Sequence, residues 1–252
     1  MARSSGRTPL FLCALVAFAV FQFSEPLAAA VSQAPPLTVE QIVARMMAMD
    51  AQRTAKDQGY RGVRHYTVDY KGFPGDKHAE MVVQVVSHPP TKEFTILSES
   101  GSKYVLNHVL HKIVESEQEA SGGSNRREVK LTPDNYKFEL LGTDTVQGRL
   151  CYIVEVDPKR GNKFLYKGRV WIDAKDFAVT QISAKPAKNP SFWISSVQIQ
   201  HQYEKHGDMW LPRNNRSTSK VRLGGQAVLT IDYQEYELSP TVVADANSHQ
   251  NE

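Results

Sequence analysis

From Gly62 onward the apolar positions of this chain recur mostly at every second residue. The stretch "GVRHYTVDYKG" sets Tyr66, Val68 and Tyr70 against His65, Thr67 and Asp69. Alternation with a period of two marks a strand buried on one face. "FPGD" follows as a turn, so a hairpin is predicted. "AEMVVQVVS" is apolar on both faces and is closed by "HPP"; "EFTILSES" is a third strand. The same period returns over Tyr136–Leu141, Arg149–Asp157, Phe164–Asp173, Phe177–Ala184, Phe192–Lys205, Met209–Pro212, Asn215–Arg222 and Gln226–Leu238. Turn signals separate these runs: "TVQGR", "DPKRGNK", "DAKD", "KPAKNP", "KHGD" and "RLGGQ". The longest run, from Phe192, places Trp193, Ser195, Val197, Ile199, His201 and Tyr203 on one face. Gln198, Gln200, Gln202 and Glu204 fall on the other and should meet water.

Two segments carry the helical period instead. In the first, Val39, Ile42, Val43, Met46 and Met49 form a stripe over Thr38–Lys56, Thr38 and Gln41 have the spacing of a capping box, and Gly59 follows the end. In the second, "SKYVLNHVLHKIVESEQEA", the stripe is Val105, Leu106, Val109, Leu110 and Ile113. "SGGSNRR" then reads as a flexible connection. Helices do not separate the later strands, so the pattern predicts an antiparallel meander in one domain rather than parallel crossover units. A sheet of about ten or eleven strands must curl or close to protect its faces and edges.

The first thirty residues stand apart. A basic start with Arg3 and Arg7 leads into the apolar run Leu10–Phe21, too short for the ~20 residues of a spanning helix. Ala28–Ala30 supply small residues for cleavage. Residues 1–30 are read as a secretory signal, 31–238 as the folded domain, and 239–252 as a flexible tail. Cys13 sits near the start of the apolar run, so a lipoprotein signal is not expected. Removal of the signal leaves Cys151 as the sole cysteine, which excludes an internal disulfide; it reads as a small packed thiol. A formal net charge of +3 makes no global case for nucleic acid.

Motifs of hydrolytic, phosphate-binding or paired-cysteine metal sites are missing from the sequence, and neither catalytic residues nor a cofactor is expected. His108, His111 and Glu115 have spacing that could ligate a metal, but they fall opposite the apolar stripe of the second helix and read as a solvated face. His78, His88, His201 and His206 are read as scattered near strand ends. Asp173 and Asp176 read as turn formers. What remains is an excess of one-faced apolar residues. A ten-stranded sheet spans roughly 45 Å, against ~10 Å for a helix, so two helices cannot cover it. Either the sheet folds on itself as a sandwich or a concavity stays open to a ligand. Met46, Met47 and Met49 suit the second, because methionine repacks around variable apolar partners.

The segment "NYKFELLGTDTVQGRLCYIVEVDPKRGNKFLYKGRVWIDAKDFAVTQISAKPAKNPSFW", with the later "MWLP" and "LTIDYQEY", resembles the outer-membrane lipoprotein-sorting, LolA-like proteins. The resemblance spans most of Thr38–Leu238. It implies a mainly β fold: an unclosed antiparallel β-barrel, or half-barrel, with helices over its concave side. It implies a periplasmic carrier or binder of lipoprotein acyl chains or other lipid, with no integral membrane span and no cofactor. The floor of its apolar cavity would be Trp193, Val197, Ile199, Leu229 and Ile231, and its lid Ile42, Met46 and Met49. The alternative within the same fold is an envelope stress sensor or scaffold that binds another protein; an enzyme with an unrecognised site is a third reading. A transmembrane barrel is disfavoured by the amphipathic first helix and the polar end of the chain.

Overall fold

The computed structural model describes residues 36–121, 130–162, 164–189, 192, 194–222 and 224–239. The segment expected as a secretory signal, most of "SGGSNRR", Trp193 and the residues from 240 onward lie outside the described residues.

Helix α1 spans Val39–Lys56. Thr38 is extended and its hydroxyl accepts from the Gln41 N–H at 3.4 Å, while the Thr38 N–H donates to Gln41 Oε1 at 3.0 Å. Two amides that the helix cannot satisfy internally are thereby paired. Ile42, Val43 and Met46 are buried, and each contributes about 1.5–3 kcal/mol through apolar burial. At the other end the Arg53 guanidinium donates to the carbonyls of Asp176 at 2.9 Å and Phe177 at 3.4 Å, which fixes the direction of the helix across the sheet.

Ten strands follow: β1 (Tyr60–Lys71), β2 (Lys77–His88), β3 (Thr91–Gly101), β4 (Tyr136–Val146), β5 (Arg149–Pro158), β6 (Tyr166–Asp173), β7 (Val179–Pro186), β8 (Ile194–His206), β9 (Met209–Val221) and β10 (Gln226–Leu238). They form one antiparallel sheet in the order β3-β2-β1-β10-β9-β8-β7-β6-β5-β4. Every neighbour in sequence is a neighbour in the sheet except across the β3–β4 gap, and β1 pairs with β10 through partners such as Tyr66 and Ile231. The sheet therefore opens between β3 and β4, as an unclosed half-barrel. The residues between these strands form the second helical element, α2. Lys103–Val105 and His111–Ser121 are α-helical, and Leu106–Leu110 between them is π-helical.

Two runs expected as separate strands, Met209–Pro212 and Asn215–Arg222, are one strand. Pro212 is tolerated because the β8–β9 register slips beside it: Gln202 faces Asn214, Tyr203 faces Pro212, and Arg213 is the extra residue. The β10 ladder reaches only Asn214, so its pairing never requires the amide hydrogen that Pro212 lacks. Both free edges also carry bulges, with Leu97 extra on β3 and Leu141 extra on β4. Such bulges disrupt an edge as a template for further pairing.

The interior is divided. One core packs Ile42, Val43 and Met46 of α1 against Tyr136, Val154, Val156, Val170, Ile172 and Ile182 of β4–β7. The other packs Val105, Leu106, Leu110 and Val114 of α2 against Tyr66, Val68, Met81, Val83, Val85 and Ile231 of β1, β2 and β10. The π-turn adds a residue to the helical repeat, and Val114 rather than Ile113 becomes the buried residue at the end of the stripe. The second core also encloses a charge. Arg64 is 4% exposed, ion-paired with Glu117 of α2, and lies under the rings of Phe94 and Tyr233. Burial works against its charge, but the Glu117 carboxylate together with Tyr66 and Tyr233 outweighs that, so the guanidinium is held above its ordinary value.

Candidate ligand-binding concavity

The register decides which side chains share the concave face. Ile231 lies opposite Tyr66 and Asn215, Leu229 opposite Val68 and Ser217, Ile199 opposite Ser217 and Ala184, and Val197 opposite Ser219. These four residues are therefore on one face with both cores, while Gln198, Gln200 and Gln202 are exposed on the other. Ile42 and Met46 are buried in the α1 core, and Met49 is half-buried. Ile231 is buried in the α2 core, with Leu229 packed against it. Val197 and Ile199 are half-buried and belong to neither core. The residues expected as one floor are thus divided between the α2 core and the uncovered middle of the sheet.

Empty space lies on both sides of α1. A cavity of about 580 Å³ is bounded by Met46, Met47 and Asp50 of the helix, Leu131 and Thr132, and Tyr166, Ile182, Tyr203 and Trp210 of the sheet. A second, of about 320 Å³, lies against Val39, Val43, Met47, Tyr136, Phe138 and Lys159. Of the residues expected to line the cavity, Met46 borders the larger space. Met47 borders both and is 38% exposed. The aromatic residues Tyr166, Tyr203 and Trp210 escaped the sequence reading as lining residues, although Tyr203 shares the apolar register of Ile199.

The middle of the concave face also holds polar groups. His201 sits mid-strand on β8, between Ile182 on β7 and Asn215 on β9, rather than near a strand end. Burial alone pushes its imidazole down to about 4, so it is neutral at physiological pH. The Asn215 Oδ1 is buried and has no hydrogen-bond partner among the described residues. Burial raises the Tyr203 phenol to about 12 and pushes Tyr166 well above its ordinary value. The middle of the concave face is thus apolar or uncharged, with a few groups able to hydrogen-bond, whereas Asp50, Arg53 and Lys130 bring charge to the border of the larger cavity.

The histidine–carboxylate spacing on α2 resolves into separate contacts. His111 Nε2 meets Glu99 at 2.8 Å, His108 Nδ1 meets the Tyr104 carbonyl at 3.0 Å, and Glu115 accepts from Lys112 at 2.6 Å. Among the described residues, groups of three or more metal-ligating side chains are absent. Asp173 forms its turn as expected, accepting from the N–H groups of Lys175 and Asp176 at 3.0 and 2.6 Å. It also receives both Arg149 Nε and Nη2, at 2.5 and 2.9 Å, while Asp176 receives Lys205 at 2.8 Å. Burial opposes the charge on Asp173, but these donors prevail and hold its carboxyl below the usual range. The network braces the end of the sheet to which Arg53 ties α1.

An open half-barrel with helices packed on its concave face is the class that these observations define. Residues 132–235 match the model of a family of unknown function, DUF5686. Among curated proteins none matches the sequence. Solved structures similar to the chain include a DUF1329 family protein from Desulfovibrio piger, at 16% identity and a TM-score of 0.38, covering 80% of this chain and 93% of the other. A putative outer membrane lipoprotein-sorting protein domain from Vibrio parahaemolyticus is similar at 11% identity and a TM-score of 0.34, covering 77% and 92%. A LolA superfamily protein from Nitrosomonas europaea is similar at 11% identity and a TM-score of 0.32, covering 81% and 95%. Among the described residues, no helix is long and apolar enough to cross a membrane.

Proposed function

We propose that the chain is an exported, periplasmic binder or carrier of acyl chains, lipoprotein-borne or free, held on the concave face beneath α1. The observation that supports this reading is the space of about 580 Å³ between α1 and the sheet, bordered by Met46, Met47, Ile182 and Tyr203. That volume is within the ~300–1,000 Å³ usual for small-molecule sites. Beside it, Val197 and Ile199 extend an apolar surface that neither core covers. An acyl chain gains about 0.8 kcal/mol per buried CH₂, less the cost of ordering it, so micromolar affinity is attainable for a chain of ~16 carbons. The lining suits a binding role: apolar and aromatic side chains surround the space, and Asp50, Arg53 and Lys130 at its border could meet the polar head of an acyl ligand.

The test places a charge in the floor. Ile199→Glu, in the uncovered middle of the sheet, should lose binding of a fluorescent fatty acid, because an unpaired charge in an apolar site costs several kcal/mol. Gln200→Glu, on the opposite face, should retain it. Folded wild-type protein with no affinity at tens of micromolar would remove the acyl reading and leave a protein partner as the better one. Export carries its own expectation: cleavage after Ala30 gives a mature chain beginning at Val31, which N-terminal sequencing of the exported protein checks.

A further inference from the structure

One end of the half-barrel is chemically unlike the other. In an antiparallel meander alternate connections share an end, so the β1–β2, β5–β6, β7–β8 and β9–β10 connections form one rim. Contacts join them into a continuous surface. The Tyr70 hydroxyl donates to the carbonyls of Phe73, at 2.6 Å, and Gly224, at 3.1 Å, linking the first connection to the last. The Arg222 guanidinium lies 4.9 Å from the centre of the Phe192 ring, linking the last to the β7–β8 connection. The Ala187 N–H donates to the Leu165 carbonyl at 2.8 Å, which carries the rim to the β5–β6 connection.

Two compositional features coincide on this rim. Six phenylalanines follow Ala30, and the three that are exposed, Phe73 at 77%, Phe164 at 53% and Phe192 at 74%, all lie here. Counted from strand end to strand start over the described residues of Lys71–Lys77, Pro158–Tyr166, Pro186–Ile194 and Val221–Gln226, these four connections carry six lysines and arginines and one acid, Asp76; the β3–β4 connection also begins and ends at this rim, but its helix α2 packs on the concave face. The connections at the opposite end, over His88–Thr91, Val146–Arg149, Asp173–Val179 and His206–Met209, carry two basic residues and three acids. Single exposed apolar side chains are ordinary. Three aromatic rings at loop tips within a strongly basic field are not: cationic groups draw the surface to an anionic bilayer, and the rings enter the headgroup layer.

We infer that this rim docks the half-barrel onto an anionic lipid surface, end-on, with Phe73, Phe164 and Phe192 as the inserted tips. The smaller cavity beside α1 reaches Lys159 of the same rim, so a lipid chain leaving the bilayer would meet apolar space at the docking end. The docking does not depend on the acyl-binding reading and can be measured apart from it.

The experiment is vesicle co-sedimentation of the purified exported protein, with phosphatidylglycerol-containing vesicles compared with pure phosphatidylcholine. Binding to the anionic vesicles should exceed that to the neutral ones and weaken with salt. The double variant Phe73→Ser/Phe192→Ser should lose binding by about tenfold or more, and Lys188→Glu/Arg222→Glu likewise, since each basic residue near the surface counts for roughly a factor of five. Lys175→Glu, at the opposite end, should bind as wild type. Both double variants are at exposed loop positions, and an unchanged thermal midpoint confirms that they fold. Fluorescent fatty-acid binding measured in the same variants separates a loss of docking from a loss of the cavity. Wild-type protein that ignores anionic vesicles would overturn the inference. So would phenylalanine variants that bind as wild type, including the case in which heparin competes equally for both, because the rim would then be a basic surface for polyanions.

Discussion

His201 supplies a prediction whose sign and size follow from its place in the sheet. The imidazole faces the concave interior, burial lowers it from 6.5 to about 4, and no charged partner opposes that shift. The unfolded chain therefore takes up a proton that the folded chain refuses as the pH falls through 6.5. Folding stability contributed by the neutral ring is present above that value and is lost progressively down to about 4, below which the loss is complete. At 1.36 kcal/mol per pKa unit, the step from pH 7 to pH 5 should cost the wild type about 2 kcal/mol through this group alone. His201→Leu lacks the titration and should be less sensitive to acid by that amount. Urea unfolding of both proteins at pH 7 and pH 5 measures it, with unchanged denaturant slopes confirming the comparison. His78, which hydrogen bonds to Asp69 and Glu80 hold above its ordinary value, contributes with the opposite sign but equally in both proteins. A stability difference between wild type and His201→Leu that stays the same at the two pH values would refute the burial argument.

Two further outcomes concern the two cores. Glu117→Gln removes the carboxylate paired with Arg64 and should destabilise the protein by about 1–3 kcal/mol, less than for a fully buried pair because Glu117 is partly exposed; the urea midpoint reads this. Ile42→Ala leaves a cavity beneath α1 and should cost about 2–5 kcal/mol by the same assay, while increasing the space available to an acyl probe.

The strands were legible because alternation is local: Tyr66 and Val68, or Val197 and Ile199, declare a shared face without reference to any partner. The capping box at Thr38 and Gln41 was legible for the same reason. Where two signals conflicted, the breaker was overweighted. Pro212 read as a strand end, yet it sits at a register slip in a continuous strand, a feature that depends on β8. The partition of the interior into two cores was not legible, because it depends on where α2 lands, and the π-turn that adjusts its stripe has no sequence mark of its own. Arg64 shares the register of Tyr66 and Val68, so its burial had a signal in the alternation. Its partner Glu117 lies on a different element, fifty-three residues on, where periodicity gives no warning. His201 had the same kind of signal, since it falls in the apolar register of the longest strand. The aromatic borders of the larger cavity come from β6, β8 and β9 together and required the folded arrangement.

The pairing of β1 with β10 also sets how the protein must fold. Tyr66 and Ile231 become neighbours across most of the described chain, whereas the other strand pairs join segments adjacent in sequence. Hairpins from β1 to β3 and from β4 to β10 can form early, each closing short loops. Joining the two groups requires the ends of the domain to meet, the contact of highest sequence separation and the one with the largest loop-closure entropy. Until the two groups join, β1 and β10 each present an unpaired edge, unlike β3 and β4, whose bulges protect them. The vulnerable species on the folding route is therefore a chain with its last strand still undocked, and that state, more than either permanent edge of the finished sheet, is where aggregation would begin.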